Sequence, residues 1–380
     1  MKPLVAVALS GGIDSLTSAW VLKDQGYRVI GVHFITGYEE CAQSSFDQNR
    51  PSTDYLVKAA DIKLAPIATR LDIPLRFLDC TERFKNEVVD YFIRTYRAGR
   101  TPSPCLVCNP VVKFGDLFRF ARQLGAERLA TGHYARIRRE MTGRLSLYRG
   151  IDSGKDQSYF LARLSRRQLE SSLFPLGEMT KSEVIALAHK KDLIPINDEE
   201  SQDICFIKGG SYDKFLARQS GFKPDPGLIV NTDGEVIGQH AGLHLFTIGQ
   251  RRGINCPARE PYYVVRIEPD QNRLVVGQRE DLFSRGCRVV EINWIAPAPT
   301  TPIRVSVKIR YRHQAFPATV VPLASRRTAQ IRFDRPQLAV TPGQGAVFYQ
   351  GDMVMGGGWI DTGGVSIQDR SSTGLAPLGI

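Results

Sequence analysis

No apolar run in the 380 residues reaches the roughly 18 needed to cross a bilayer. The chain opens on a strand-like run at residues 4–9, without the charged, apolar and small-residue blocks of an export signal, so a cytosolic (cytoplasmic) protein with no membrane partner is expected. Cysteine is sparse and odd in number: Cys41, Cys80, Cys105, Cys108, Cys205, Cys256 and Cys287. Seven thiols in a long chain exclude a disulfide scaffold and leave room for reactive or metal-bound cysteines. No fourth cysteine or histidine stands at zinc spacing, so structural zinc is not expected. No internal repeat is present, which excludes a solenoid. Acidic residues are too few to balance the basic ones, 39 against 50, and the net charge of +11 favours a polyanionic partner. What is present is a 42% apolar and 23% charged composition, enough for folded domains, and the length implies two or three of them.

The first 130 residues alternate apolar runs with helical periodicity. Strands are predicted at 4–9, 29–34, 75–78 and 128–131. Helices are predicted from 12 to 24 with Gly26 closing, from a Ser52-Thr53-Asp54 cap to about 71, over 81–96, and over 114–124. Such alternation is the mark of an α/β doubly wound parallel sheet, whose ligands sit at the carboxyl ends of the strands. Residues 160–200 read as helical, with Thr180-Lys181-Ser182-Glu183 as a capping box. Beyond 209 turn dipeptides separate short strands, and from about 285 the pattern is wholly β. The expected organisation is a catalytic domain over 1–208, a small linking domain over 209–284 and a β-barrel over 285–380. The tail from 361 is rich in Gly and Ser, and disorder is expected at its end. In the barrel, Val305, Val307, Ile309 and Tyr311 alternate with Ser306, Lys308, Arg310 and Arg312. With Arg304, His313, Arg326, Arg327 and Arg332 nearby, the basic face reads as a track for an RNA backbone.

Ser10-Gly11-Gly12-Ile13-Asp14-Ser15 joins the first strand to the first helix. Glycines let the backbone approach phosphate oxygens, and the N–H groups of the turn and helix start form an anion nest. Ser10 and Ser15 add hydroxyl donors. Asp14 is out of place beside phosphates unless it orients the loop or helps hold magnesium. No Gly-Lys-Ser/Thr follows, so the loop is not a Walker A motif. It resembles the ATP pyrophosphatase (PP-loop, adenine nucleotide alpha hydrolase-like) family, whose members cleave ATP between the α- and β-phosphates and adenylate an oxygen of the substrate.

Thr101-Pro102-Ser103-Pro104-Cys105-Leu106-Val107-Cys108-Asn109 reads as an extended, helix-poor loop just ahead of a helix N-terminus, a position that lowers a thiol pKa. A chance Cys-x-x-Cys arises in roughly one such chain in ten, so the pair alone decides nothing. Cys205 follows 97 residues beyond Cys108 in Glu200-Ser201-Gln202-Asp203-Ile204-Cys205-Phe206. By itself it reads as a core residue whose acidic neighbours raise its pKa. Together with Gly99-Arg100, Lys113-Phe114, Thr131-Gly132-His133-Tyr134, Lys155-Asp156-Gln157-Ser158-Tyr159, Gly242-Leu243-His244, Thr341-Pro342-Gly343-Gln344 and Gly356 to Trp359, these segments resemble the tRNA-specific 2-thiouridylases over almost the whole chain.

The resemblance implies ATP and Mg2+ as cofactors, a tRNA with a wobble uridine as substrate, and a persulfide donor, a cysteine desulfurase or sulfur-relay protein, as partner. It implies that Ala8, Leu9, Ser10, Gly11, Gly12, Ile13, Asp14, Ser15, Phe34 and Gly132 bind ATP. Ser103, Pro104 and Cys105 would meet the target base. His133, Lys155, Asp156, Gln157, Arg310, Tyr311 and Gln344 would touch tRNA. Cys108 would be the nucleophile and Cys205 the persulfide carrier, leaving a Cys108–Cys205 disulfide after sulfur transfer. Two positions depart from many relatives, which have Asp at 105 and Asn at 103. Those departures open a second route, sulfide delivered by an iron–sulfur cluster on Cys105, Cys108 and Cys205. Rivals in class are an RNA-binding protein without activity, an amidotransferase-type synthetase, for which no glutaminase domain is present, and a thiolase of another tRNA position.

Overall fold

The computed structural model describes residues 2–39, 52–196, 204–207, 211–219, 221–257, 259–325 and 327–362. Readings that fell on Cys41, on Glu200 to Asp203, on Arg326 and on the tail beyond 362 lie outside the described residues.

Leu4–Ala8 forms strand β1, whose Val5 and Val7 are buried on one face and Ala6 on the other. A strand that buries both faces needs layers above and below, and it has them. Strands β2 (Arg28–Ile35), β3 (Leu75–Asp79), β4 (Arg128–Ala130) and β7 (Ser172–Leu173) complete a five-stranded parallel sheet in the order β3-β2-β1-β4-β7. The chain reverses direction of travel at β1, so the end of β1 opens at a topological switch point. Helix α1 (Ile13–Asp24) follows β1 directly. Ser52 caps the helix Thr53–Arg70 by accepting a bond from Tyr55 N, as predicted.

Two local readings need correction. The cysteine segment is not helix-poor: helix begins at Cys105 and runs through a π-helical stretch, Asn109–Leu117, before ending at Gln123. Pro104 does not prevent this, because its locked φ of −63° suits a helix start and the first turn needs no N–H there. Residues 160–200 are not continuously helical either. Short helices Ser158–Leu161 and Arg166–Glu170 precede β7, and Lys181–Lys190 follows it. Glycine is required at 177 in the turn between them, since a Cβ there would sit 1.9 Å from the Ala135 carbonyl oxygen. The Thr180 capping box forms as predicted, with Glu183 returning the bond.

Between β4 and β7 lies a hairpin that the sequence pattern did not reveal, β5 (Ala135–Arg139) with β6 (Leu145–Arg149). Four middle strands, β8 (Gly227–Val230), β9 (Val236–His240), β10 (Tyr263–Glu268) and β11 (Arg273–Gly277), form a sheet in the order β10-β11-β8-β9. Six strands close the terminal barrel. These are β12 (Phe283–Trp294), β13 (Ile303–Lys308), β14 (Phe316–Pro322), β15 (Ala329–Leu338), β16 (Gly345–Gln350) and β17 (Met353–Thr362), with β17 returning to pair with β12. The β5–β6 hairpin joins this sheet through β17, at Tyr148 opposite Met353. The catalytic domain therefore lends its hairpin to the barrel wall.

The predicted basic face of β13 is only partly a face. The strand ends at Lys308, and Arg310 turns inward to donate to the carbonyls of Leu338 (2.8 Å) and Ala339. Arg304 makes a two-pronged pair with Asp334, Arg310 is half-buried, and Arg312 and Arg332 are exposed. Burial outweighs alternation here, because a long cationic side chain finds carbonyl partners wherever the strand turns.

Candidate active site

The loop after β1 carries the first half of the site. Gly11 adopts φ +86°, a left-handed conformation that side chains resist, and Gly12 sits extended as the helix N-cap. Ser15 Oγ donates to Gly12 O (2.9 Å) and accepts from Ser10 N (3.2 Å), so the loop is tied across itself. The first N–H groups of α1 have no carbonyl within the helix to bind, and they point out at the sheet's carboxyl end. Phe34 stands half-buried at the end of the neighbouring strand β2.

Asp14 is explained by partners the sequence did not suggest. Its Oδ1 accepts from Lys181 Nζ (2.7 Å) and from the Tyr134 hydroxyl (2.8 Å). Lys181 offsets the charge of the carboxylate, and the Tyr134 hydroxyl holds it in place. Lys181 lies in the first turn of Lys181–Lys190 and is buried, as is Tyr134. A single carboxylate of this kind suits magnesium that arrives on a nucleotide's phosphates rather than a protein cage. Across the loop, Gly132 packs against Asp14 and Ser15: a Cβ there would lie 3.0 Å from the Asp14 carbonyl carbon. A Lys181→Met protein is expected to bind ATP about tenfold more weakly, since an unpaired carboxylate then faces the phosphates; calorimetric titration with ATP tests this.

The cysteines form the second half. Cys108 is buried, Cys105 half-buried and Cys205 exposed. Phe206, next to Cys205, is buried in the same cluster as Cys108 and rests edge-on against Phe84 (5.7 Å) and Phe92 (5.4 Å). Cys205 adds, after burial, to the upward shift of both Cys105 and Cys108. Cys105 and Cys108 share one helical turn, and Cys205 follows 97 residues beyond Cys108 in the chain.

Their expected acidity is corrected by the structure. Burial pushes Cys105 up to about 11, and it pushes Cys108 well above the usual thiol range. Desolvation of a thiolate outweighs the helix start, whose effect is largest for exposed groups. Lys113, in the π-helical stretch, opposes the shift at both cysteines and also acts on His133. Sequence reading missed it as a functional residue; the π-helical turn that aims it has no simple sequence signal. With the Cys105 pKa raised, thiolate is a small fraction at neutral pH and grows about tenfold per pH unit. Alkylation of Cys105 by iodoacetamide is therefore expected to climb without a plateau from pH 7 to about 10. Levelling off by about pH 9.5 would show an ordinary exposed thiol.

Among the described residues no group of three His, Cys, Asp or Glu side chains is arranged to hold a metal ion. Cys105, Cys108 and Cys205 do not form such a group.

The residues predicted to meet RNA fall into two groups. Ser103 and Pro104 are buried, and Ser103 N faces the Tyr91 hydroxyl at 3.4 Å. Asp156 is buried and acts within its own loop, accepting from Gly150 N, Ser158 N and Ser158 Oγ. Gln157 exchanges bonds with the backbone of Tyr134, which joins the 155–157 loop to the Asp14 partner. His133 bonds Thr131 Oγ1 (2.7 Å) between Phe114 and Phe174; burial, then Lys113, keep it neutral. Tyr311 stacks on Phe160 with centroids 4.3 Å apart, and Gln344 reaches the carbonyls of Thr101 and Pro102.

A phosphate-type loop at the end of β1 in a parallel sheet defines a nucleotide-binding domain of the HUP class. The description "tRNA methyl transferase HUP domain" matches residues 3–209, "tRNA methyl transferase PRC-barrel domain" matches 213–278, and "Aminomethyltransferase beta-barrel domain" matches 284–360. Full-length relatives carry a different name. A tRNA-specific 2-thiouridylase MnmA of Desulfosudis oleivorans is 47% identical, covering 94% of this chain and 95% of its own. Proteins of the same name from Geotalea uraniireducens and Trichormus variabilis are 43% and 44% identical, each over 94% of this chain and over 94% and 98% of their own. The chain belongs to the tRNA-specific 2-thiouridylase family.

Proposed function

We propose that the chain is an ATP-dependent tRNA sulfurtransferase that replaces the C2 oxygen of a wobble uridine with sulfur carried as a persulfide on Cys205. The observation that supports this most is the pairing of a nucleotide loop with two cysteines that sit far apart in sequence and within electrostatic reach in space.

Uridine C2 oxygen is a poor leaving group. Its attack on the α-phosphorus of ATP forms an O–P bond and breaks the α–β bridge, releasing pyrophosphate and leaving an adenylated base. Ala8 to Ser15, Phe34 and Gly132 hold the nucleotide, and Asp14, held by Lys181 and Tyr134, keeps the loop in shape and gives an arriving Mg2+ one carboxylate. The terminal sulfur of a Cys205 persulfide then attacks C2, and AMP leaves with its electron pair. Cys108, as thiolate, attacks the Cys205 sulfur, breaking that S–S bond, forming a Cys108–Cys205 disulfide and leaving sulfur on C2. An external dithiol reductant resets the pair by exchange. Lys113 favours the thiolate that burial disfavours. Ser103, Pro104 and Cys105 flank the base; Lys155, Gln157, Arg310, Tyr311 and His133 form the RNA-facing surface around it. The sulfur reaches Cys205 from a persulfide donor protein, for which its exposure is suited.

The test is nucleoside mass spectrometry of wobble uridine in tRNA incubated with the purified chain, ATP, Mg2+ and a persulfide donor. Stoichiometric 2-thiouridine, AMP and pyrophosphate are expected; methylated uridine, or pyrophosphate without thiolation, would sink the reading.

A further inference from the structure

Residues 101–104, which lead into the short helix that carries Cys105 and Cys108, have few donors of their own to fix them. Pro102 and Pro104 lack N–H groups, so residues 101–104 can offer the rest of the protein few donors. Their carbonyls are held from outside instead. Gln344 Nε2 donates to Thr101 O (3.1 Å) and to Pro102 O (3.0 Å), and Thr101 N donates to Pro342 O (3.0 Å). The barrel backbone presses on the same turn. A Cβ at Gly343, whose φ is +88°, would lie 2.7 Å from Thr101 O, and one at Gly345 would lie 2.4 Å from Leu106 Cδ1. The middle domain contributes one bond from the other side, Thr101 Oγ1 to Thr247 Oγ1 at 3.2 Å.

The family resemblance implies a tRNA contact for Gln344, yet a glutamine amide has two N–H donors and both are occupied by the cysteine turn. We propose that Gln344 is a positioning residue of sulfur transfer: its amide latches the barrel to the Cys105–Cys108 turn and sets where those thiols stand relative to the base. Its backbone is anchored for that role, since its N–H donates to Thr341 O and its carbonyl accepts from Ile360 N, inside the barrel wall. RNA seated on the barrel thus meets a cysteine turn whose placement the barrel itself has set. The kinetic part of this inference rests on the thiouridylase reading; the latch itself does not.

The test uses the full-length protein and Gln344→Met, which keeps the side-chain volume and removes both donors. In tRNA-free protein the amides of Leu106 and Cys108, which bond Ser103 O and Pro104 O, are expected to exchange with deuterium about tenfold faster. Cys105 is expected to alkylate faster by a similar factor, while amides of β12 and β15 stay as they were. With tRNA, kcat for thiolation falls about tenfold and KM for tRNA changes less than twofold. Unchanged exchange with a raised KM would make Gln344 an RNA contact only. Faster exchange throughout the barrel would make it a folding residue. Either result overturns the latch. If the turn loosens but no thiolation is seen even in the intact protein, the functional reading fails and the latch stands.

Discussion

Cys205→Ser and Cys108→Ser proteins are expected to release pyrophosphate from ATP when tRNA is present, and to leave less than about a thousandth of the 2-thiouridine made by the intact chain. The separation follows from where the groups sit. The nucleotide loop is tied to itself and to Lys181 and Tyr134. Removing a thiol therefore leaves adenylation in place. A serine hydroxyl cannot carry a persulfide, and it cannot break one at neutral pH, because the alkoxide is far scarcer than any thiolate. The two variants differ in where they stop. Cys205→Ser takes no sulfur from the donor, whereas Cys108→Ser accepts it and stalls with the base attached through sulfur to Cys205. Mass spectrometry of the protein–RNA adduct distinguishes the two. Full thiolation by Cys108→Ser with a persulfide donor would remove Cys108 from the mechanism. Cys105→Ser is expected to keep at least about a tenth of the activity, because the sulfur path runs between Cys205 and Cys108.

The resting state of Cys108 fits this sequence of steps. A thiol held neutral by burial does not attack a passing persulfide or disulfide early. Lys113 is the charge that opposes burial and favours its thiolate. In the proposed mechanism this would separate sulfur loading at an exposed cysteine from sulfur release by a buried one.

What was legible in the sequence was what neighbouring residues determine. β1, the glycine loop and α1 could be read because an apolar run, a flexible turn and a helical period follow within 24 residues. The Thr180 box was legible for the same reason, three residues closing on each other. Contacts across the chain were not. Asp14 looked misplaced until Lys181 appeared beside it, 167 positions away. Gln344 and Thr101 are 243 apart, and no local pattern announces that a barrel loop will cap a cysteine turn. The β5–β6 hairpin went unread although Ala135 and Ile137, and Leu145 and Leu147, alternate with polar residues, because each strand is only five residues long and the pair carries four arginines. The start of the cysteine helix was misplaced because prolines were read as breakers, when one of them occupies a position that a helix start tolerates.

Gly132→Val is expected to lower kcat/KM for ATP more than about a hundredfold, and Gly132→Ala about tenfold. The argument is steric and local. Gly132 does not need glycine for its backbone angles, since its φ is not in the left-handed region. It needs glycine for space. A Cβ would lie 3.0 Å from both the carbonyl carbon and Cβ of Asp14 and 3.1 Å from Ser15 N. Two of those three neighbours are backbone atoms of the phosphate loop, which cannot rotate aside as a side chain would. One methyl must move the loop by a few tenths of an ångström; the two further methyls of valine must move it by more. The loop binds phosphate through the direction of its N–H groups, so a shift of that size spoils several bonds at once. Overpacking of this kind costs about 1–3 kcal/mol of stability, which a folded chain of this size tolerates, so the melting curve should shift only slightly. RNA affinity, measured by salt-dependent binding, should change much less than kcat/KM for ATP, because it is dominated by contacts of basic side chains to the RNA backbone, which the loop does not carry. If Gly132→Val instead kept normal pyrophosphate release, the loop after β1 would not be where ATP reacts.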